Sequence, residues 1–261
     1  MTSLRVFGIG GLMSYRALFY WLTPWVYVPS LLVAPIFQIL LFVYIGRNAG
    51  LESDEFYVIG NALQYAAIPC VFAMGFAVTG ERYQQTLGYI LVSPARRLPL
   101  FLGRAVPVML NGAFVAAFSL AVGGLLLGIE VPASALGPLA LVVLVSAVSC
   151  TGLGLINGAL GLRVREVAVL GNIIFGLLLI FTGANVAVAE LPGWMQAISE
   201  VTPLTHGIEA ARLLADGASL GNVDHLLATE LLVGLGYGLV GYTLLRFFEW
   251  QSRLHATLET A

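Results

Sequence analysis

Residues 136–162 read LGPLALVVLVSAVSCTGLGLINGALGL, a run without a single charged side chain. About 20 apolar residues in an α-helix cross the hydrocarbon core of a bilayer, so this run is long enough to span a membrane. Its glycines, Gly152, Gly154, Gly158 and Gly161, would let a neighbouring helix approach closely. The stretch therefore predicts a transmembrane helix that is either tilted or packed tightly against another helix.

The composition of the whole chain agrees with a membrane protein. Of its 261 residues, 59% are hydrophobic and 10% are charged, whereas soluble domains carry about 25% charged residues. All twelve basic residues are arginine, and the chain contains no lysine. Because a Walker A loop needs its lysine to reach the nucleotide phosphates, this chain is not a standard P-loop ATPase. A lysine Schiff-base enzyme is excluded for the same reason.

Apolar runs of membrane length predict six spans and an all-α integral membrane protein with one transmembrane domain over residues 1–261. The spans lie at about 24–46, 56–79, 105–128, 136–162, 167–188 and 226–245. Between the last two spans, two half-length apolar stretches over about 189–229 are too short to cross a membrane. They predict interfacial or re-entrant helices, with the re-entrant segment at 189–212.

The arginines set the predicted orientation of these spans. Ten of them fall on one side of the membrane, and only Arg47 and Arg212 fall on the other. Cytoplasmic loops carry an excess of basic residues, so both termini are expected in the cytoplasm. The acidic residues fall mostly on the outer side, and Glu230 is among them.

Two segments on the cytoplasmic side predict amphipathic helices. Over 2–23, Arg5 and Arg16 are eleven residues apart and share one helical face, which is typical of an interfacial helix leading into the first span. Anchoring to the membrane and contact with a partner both remain open for this helix. Over 81–93, Tyr83, Leu87 and Leu91 form an apolar stripe. This second helix either lies on the membrane or docks into a cytoplasmic partner.

The predicted membrane interior contains amides but almost no ionisable groups. Residues of the spans that could line a pathway are Phe37, Gln38, Asn61, Gln64 and Asn172. The amides alternatively serve as hydrogen-bonding links between helices. Ion-coupled carriers usually place charged residues at this depth, so their absence argues against that class. No GxSG serine, HExxH pair or cysteine spacing indicates an intramembrane enzyme or a metal site, and no basic patch indicates nucleic-acid binding.

Two sequence motifs stand next to predicted spans, one after span two and one before span six. After predicted span two, residues 81–94 read ERYQQTLGYILVSP. Before span six, residues 191–199 read LPGWMQAIS and are followed by PLT at 203–205 and by Arg212. With six spans and cytoplasmic ends, these motifs make the chain resemble the ABC-2 type exporter permeases, which include drug-resistance, nodulation-factor and polysaccharide exporters. Gln85 stands where the family loop usually has glycine.

The resemblance implies roles for the motif residues. A coupling helix at 81–93 would pass the motion of an ATPase to the spans through Glu81, Arg82, Gln85, Thr86, Leu87, Ser93 and Pro94. An outer gate would contain Thr182, Gly183, Pro192, Trp194, Pro203, Thr205 and Arg212. The family also implies two cytoplasmic ABC ATPase subunits that bind ATP and Mg, and a second permease that is identical or related.

The expected function is therefore that of a permease subunit in the bacterial cytoplasmic membrane. The chain itself is expected to be neither an enzyme nor a cofactor-binding protein. Few polar groups line its spans, which favours an amphiphilic or hydrophobic cargo: a drug-like molecule, a lipid or a lipid-linked saccharide. The alternative is an ion-coupled secondary transporter or a channel.

Overall fold

The computed structural model describes residues 23–83, 97–129, 131–164 and 166–255, together with positions 8, 11 and 12. Every regular element in these ranges is helical, which confirms the predicted all-α class. We number the helices of these ranges α1 to α9. They are α1 Pro24–Ala49, α2 Asp54–Gln64, α3 Met74–Tyr83, α4 Arg97–Leu127, α5 Leu136–Gly161, α6 Val167–Phe181, α7 Gly193–Glu200, α8 Thr205–Ala215 and α9 Leu220–His255.

Five helical stretches of the described chain are long and apolar enough to cross a membrane. They are Pro24–Ala49, Asp54–Ala77, Leu102–Leu127, Ala133–Gly161 and Leu220–Gln251. They coincide with predicted spans one to four and six. The predicted fifth span, 167–188, holds α6, which has only 15 residues. At about 1.5 Å of rise per residue this helix is roughly 22 Å long, which is shorter than the hydrocarbon core of a bilayer at about 30 Å. The crossing by this segment, and with it the total of six, therefore stays a prediction.

Prolines distort the first two spanning stretches. A π-helical turn, Val28–Val33, interrupts α1 at Pro29, and a second one, Pro69–Ala73, precedes α3. Proline has no N–H to donate and its ring displaces the preceding carbonyl, so regular α-helical hydrogen bonding cannot continue through it. The wider π turn accommodates the unpaired carbonyls while the chain stays helical.

Helix α5 lies at the centre of the bundle, packed between α9 on one side and the α2–α3 stretch on the other. A Cβ atom added to Gly152 would overlap the carbonyl oxygen of Gly234 in α9, and one added to Gly154 would overlap the carbonyl oxygen of Cys70. Of the two predicted alternatives for this glycine-rich span, tight packing is confirmed. Cys70 and Cys150 are both free and fully buried in this core.

Helices α1 and α9 expose large apolar side chains along one face. Trp25 and Phe37 of α1 are 89% and 68% exposed, and Leu232 and Leu239 of α9 are each 68% exposed. In a chain of this composition, such faces contact lipid or another membrane-embedded chain. The packed core on the other face holds the functional side chains described next.

Candidate functional site

The segment between α6 and α9 forms two short helices at the predicted outer end of the bundle. A turn over residues 182–186 ends α6, a 3-10 turn follows at Val188–Glu190, and then come α7 and α8. These helices have 8 and 11 residues, too few to cross a membrane. The segment therefore has the pair of short helices that the sequence predicts, while its re-entrant position stays a prediction.

Arg212 of α8 joins three parts of this outer end. Its Nη2 atom donates to the carbonyl oxygens of Phe56 at 3.1 Å, Gly183 at 2.9 Å and Ala184 at 3.2 Å. Its Cζ atom lies 3.4 Å from the centroid of the Phe56 ring, in cation–π contact. We call this set of contacts the Arg212 clamp. It ties α8 to the start of α2 and to the 182–186 turn.

Gly60 of α2 makes the close approach at the clamp possible. A Cβ atom at this position would overlap the carbonyl oxygen of Ala184 and would lie 2.8 Å from Nη2 of Arg212. Any larger residue would therefore push the 182–186 turn and the guanidinium away from α2.

The guanidinium of Arg212 is mostly removed from water. Burial lowers the pKa of Arg212 to about 10, while the carboxylates of Glu52 and Glu209 act in the opposite direction. No carboxylate of the described residues forms an ion pair with it. At neutral pH the clamp is therefore a protonated cation held by carbonyl oxygens and an aromatic face.

The predicted Thr182–Gly183 step is the point at which α6 ends. Thr182 is buried, and its hydroxyl donates to the carbonyl oxygen of Leu178 at 2.6 Å. Gly183 has a φ of +74°, a conformation that glycine adopts readily and other residues do not. The resulting turn presents the Gly183 and Ala184 carbonyl oxygens to Arg212.

The other predicted gate residues lie in the same segment but differ in exposure. Pro192 immediately precedes the first residue of α7, and Trp194 is 64% exposed with its ring 6.5 Å from that of Phe181. Pro203 and Thr205 are buried where the chain turns from α7 into α8. Of the predicted gate set, the structure joins Gly183 and Arg212 by a direct hydrogen bond.

Four amide side chains meet beside the clamp. Gln38 of α1 donates to Oδ1 of Asn61 at 2.8 Å and, more weakly, to Oε1 of Gln64 at 3.5 Å. Asn61 donates to the carbonyl oxygen of Tyr57 and to Oδ1 of Asn185, both at 2.9 Å. We call Gln38, Asn61, Gln64 and Asn185 the amide cluster. It links α1 and α2 to the same 182–186 turn that Arg212 holds.

The structure brings together three of the five predicted pathway residues. Phe37 and Asn172 have exposed side chains, whereas Gln38, Asn61 and Gln64 contact one another. The fourth member of the cluster, Asn185, was missed by the sequence analysis. The available signal was its position two residues after the Thr182–Gly183 step, where a helix end leaves side chains facing the core.

Glu230 corrects the expectation that the spans hold almost no ionisable groups. It lies ten residues into α9 and is fully buried. Its oxygens accept hydrogen bonds from the backbone N–H groups of Leu204 at 2.8 Å and Gly207 at 3.2 Å. The first turn of α8 has no side-chain cap of its own, so this carboxylate supplies the missing acceptor. Its negative charge also interacts favourably with the positive end of the α8 dipole.

The predicted cytoplasmic sites are largely outside the described residues. Glu81 and Arg82 belong to the last turn of α3, where the structure describes the backbone alone. Arg5, Arg16, Gln85, Thr86, Leu87, Ser93 and Pro94 lie outside the described ranges. Within those ranges, no three His, Cys, Asp or Glu side chains gather into a metal-binding group.

Comparison with known proteins places these features in a family. The family model for the ABC-2 type transporter matches residues 10–214. Relatives include the probable multidrug ABC transporter permease YbhR of Escherichia coli K12 and its counterpart in strain O157:H7, each 26% identical over 202 residues. The alignment covers 76% of this chain and 54% of each relative. The chain thus spans about half the length of the curated relatives it matches.

Proposed function

This chain belongs to the ABC-2 type transporter family, and from that premise we propose that it is the membrane subunit of an ATP-driven exporter. The observation that carries the proposal is the family match over residues 10–214. Five helices of spanning length and the packed helical core support the role of a multi-pass transport permease. The bacterial cytoplasmic membrane, with both termini in the cytoplasm, is the proposed location.

Energy for transport would come from two cytoplasmic ABC ATPase subunits, which would bind ATP and Mg. The absence of lysine from this chain supports that assignment, because a Walker A loop requires one. A second permease, identical or related, would complete the assembly. The exposed apolar faces of α1 and α9 offer area for it within the membrane.

The helix after the second span would couple ATP hydrolysis to movement of the spans. Glu81 and Arg82 extend α3 toward the predicted cytoplasmic side, so a push on residues 81–93 would act directly on the α2–α3 stretch. That stretch packs against α5 at Gly154 and begins at the Arg212 clamp. Within the described residues, the α2–α3 stretch therefore runs from the end of α3, where the proposed coupling helix would begin, to the proposed outer gate.

The outer gate would be the segment over 182–212, closed by the Arg212 clamp. Opening would require separating this segment from α2, which breaks the hydrogen bond from Arg212 to the carbonyl oxygen of Phe56. The amide cluster crosses the same contact through the bond from Asn61 to Asn185.

The proposed cargo is an amphiphilic or hydrophobic molecule moved out of the cytoplasm or the inner leaflet. The apolar composition of the spans supports this class. The Escherichia coli relatives are named as probable multidrug permeases, which favours a drug-like molecule over a lipid or a lipid-linked saccharide.

One observation favours the alternative of an ion-coupled carrier. Glu230 is a carboxylate buried within the last spanning helix, and such groups often mark ion pathways. Its oxygens, however, both accept backbone hydrogen bonds at the start of α8. That geometry is sufficient to explain the carboxylate as a helix cap, so the exporter remains the proposed function.

The proposal is tested by purifying the tagged chain from native membranes in mild detergent and identifying its partners by mass spectrometry. We expect a soluble partner of ABC ATPase size with its own Walker lysine, and ATPase activity in the purified complex. Recovery of the chain alone, even after chemical crosslinking, would overturn the exporter assignment and favour the ion-coupled alternative.

A matched pair of variants then tests the coupling role. Glu81→Ala combined with Arg82→Ala should leave the complex assembled but abolish cargo-stimulated ATPase activity. Asp224 is an exposed acidic residue in the first turns of α9. Asp224→Ala serves as the control and should retain cargo-stimulated ATPase activity. Equal activity in both variants would contradict the proposed coupling helix.

A further inference from the structure

Beside the Arg212 clamp, several buried N–H donors have no hydrogen-bond acceptor. Three buried nitrogen atoms have no hydrogen-bond partner within the described protein: Nε2 of Gln64, Nδ2 of Asn185 and Nε of Arg212. All three are donors, and the oxygens of these side chains leave no matching buried acceptor unpaired. An unpaired buried donor is strongly unfavourable, so such a cluster is stabilised by any group that brings acceptors.

The direction of hydrogen bonding in the amide cluster is fixed by one backbone carbonyl. Asn61 contacts the carbonyl oxygen of Tyr57, which can only accept, so Nδ2 of Asn61 must be the donor there. Its Oδ1 then accepts from Gln38, and its Nδ2 requires an oxygen from Asn185. The directions of these hydrogen bonds therefore fix the orientation of the Asn185 amide, and its Nδ2 group is left without an acceptor.

The local charge has the same sign as this donor excess. Arg212 is a buried cation without an ion-pair partner among the described carboxylates, and it bonds the Gly183 and Ala184 carbonyl oxygens next to Asn185 in the chain. Gly60 and Asn61 of α2 contact the same turn from the other side. The unpaired donor of Asn185 and the positive charge of Arg212 thus both lie at the 182–186 turn, and Gln64 joins the same amide cluster through Gln38.

Building on the proposed export function, we infer that the amide cluster and Arg212 bind the anionic head of an amphiphilic cargo, a phosphate or a carboxylate. Both groups carry only acceptor oxygens when ionised and form strong hydrogen bonds with amide and guanidinium donors. Gln64 is fully buried in the structure. The head would therefore enter when α2 and the 182–186 turn separate, replacing the Asn61–Asn185 bond with its own acceptors.

The test uses the complex purified from membranes and reconstituted in lipid nanodiscs. Two fluorescent amphiphiles with the same alkyl tail, one with a phosphate head and one with a trimethylammonium head, are titrated with and without a non-hydrolysable ATP analogue. In one of the two nucleotide states, we expect the phosphate probe to bind about tenfold more tightly than the ammonium probe. This difference is the effect of one charge-assisted hydrogen bond.

Asn185→Asp replaces the leftover donor with an acceptor but keeps the oxygen that Asn61 requires. This variant should lower the affinity for the phosphate probe by about tenfold and raise that for the ammonium probe, a gain that misfolding cannot produce. Asn48→Asp is the matched control, because Asn48 is exposed at the end of α1 and receives the same charge. Should Asn185→Asp not assemble, Gln64→Glu makes the equivalent change at the fully buried donor.

Equal affinity for the two heads in both nucleotide states would overturn the inference, as would equal effects of Asn185→Asp and Asn48→Asp. Either result would mean that the donors bind ordered water only. The export proposal would survive both results, since it is decided separately by the presence of an ATPase in the purified complex.

Discussion

The Arg212 guanidinium donates to three carbonyl oxygens and lies over the Phe56 ring. A lysine ammonium is not planar and cannot stack on the ring in this way. We expect Arg212→Lys to destabilise the purified chain by about 2 kcal/mol, the scale of one to two charged hydrogen bonds. Thermal unfolding in detergent measures the change.

Arg47→Lys is the control for this substitution. Arg47 pairs with Asp54 at the same end of the bundle, but its side chain is 47% exposed, and exposed ion pairs contribute about 0–1 kcal/mol. If both lysine variants lowered the unfolding temperature equally, the special role of the buried clamp would be wrong.

The titration of Arg212 predicts that the clamp does not respond to physiological pH. Burial lowers its pKa from the ordinary arginine value to about 10, so the folded and unfolded chains both hold the proton at lower pH. Only between these two values does the unfolded chain bind more protons, and there the contribution of this group to stability rises with pH. The difference in unfolding temperature between the wild type and Arg212→Gln should therefore stay constant from about pH 5 to about pH 9. A steady change over that range would show that another group titrates with the clamp.

Sequence reasoning found the polar residues of α1 and α2 but could not assemble the site around them. Gln38, Asn61 and Gln64 stand out because amides are rare in apolar runs. Asn185 does not stand out in this way, because its contact with Asn61 depends on where α6 ends. The burial of Glu230 was not predicted, because hydropathy measures how apolar a window is and does not say which side chain faces a neighbouring helix. The lack of a local cap at the start of α8 was the signal for it.

The junction of α8 with α9 depends on a carboxylate supplied by a helix distant in sequence. In Glu230→Gln one acceptor oxygen remains, and the new NH₂ group faces the N–H of Leu204 or Gly207. We expect a loss of about 1.5–3 kcal/mol and earlier proteolysis within α8. Glu200→Gln changes an exposed carboxylate one turn before α8 and should leave both measurements unaltered. Unchanged stability of Glu230→Gln would mean that the carboxylate does not act as the cap.

The packing of α5 on α9 is predicted to depend on the absence of a side chain at single positions. Gly152→Ala would force the new Cβ atom into the backbone of Gly234 and Gly238, so the helices must separate and the unfolding temperature should fall. Gly236→Ala in α9 meets open space and should be neutral or slightly stabilising, because alanine favours helix by about 1 kcal/mol over glycine. Equal behaviour of the two variants would contradict the close approach of these helices.

The number of crossings was the least predictable property of the molecule. Residues 167–188 are apolar enough for a span, but the helix within them stops at Phe181 because the chain turns at Gly183. Hydropathy counts residues that can lie in lipid and does not detect the turn. The remaining spans were predicted well because they are long, and because glycine and proline distort them without ending them.

Whether α6 crosses the membrane decides the topology of the entire chain. If it crosses, the α5–α6 loop and the α8–α9 loop lie on opposite sides; if it does not, they share a side. Single cysteines at Leu51, Val164 and Ser219, all exposed, can be labelled in intact cells with a membrane-impermeant maleimide.

We expect labelling at Leu51→Cys and Ser219→Cys from outside, and at Val164→Cys only after permeabilisation. The arginines flanking Val164 place it on the cytoplasmic side by the excess of positive charge. Cys70 and Cys150 are fully buried, so the unmodified chain serves as the blank. Labelling of Val164→Cys and Ser219→Cys from the same side would mean that α6 does not cross. An odd number of crossings would then put the two termini on opposite sides, and the proposed outer gate would have to be reassigned to the cytoplasmic face.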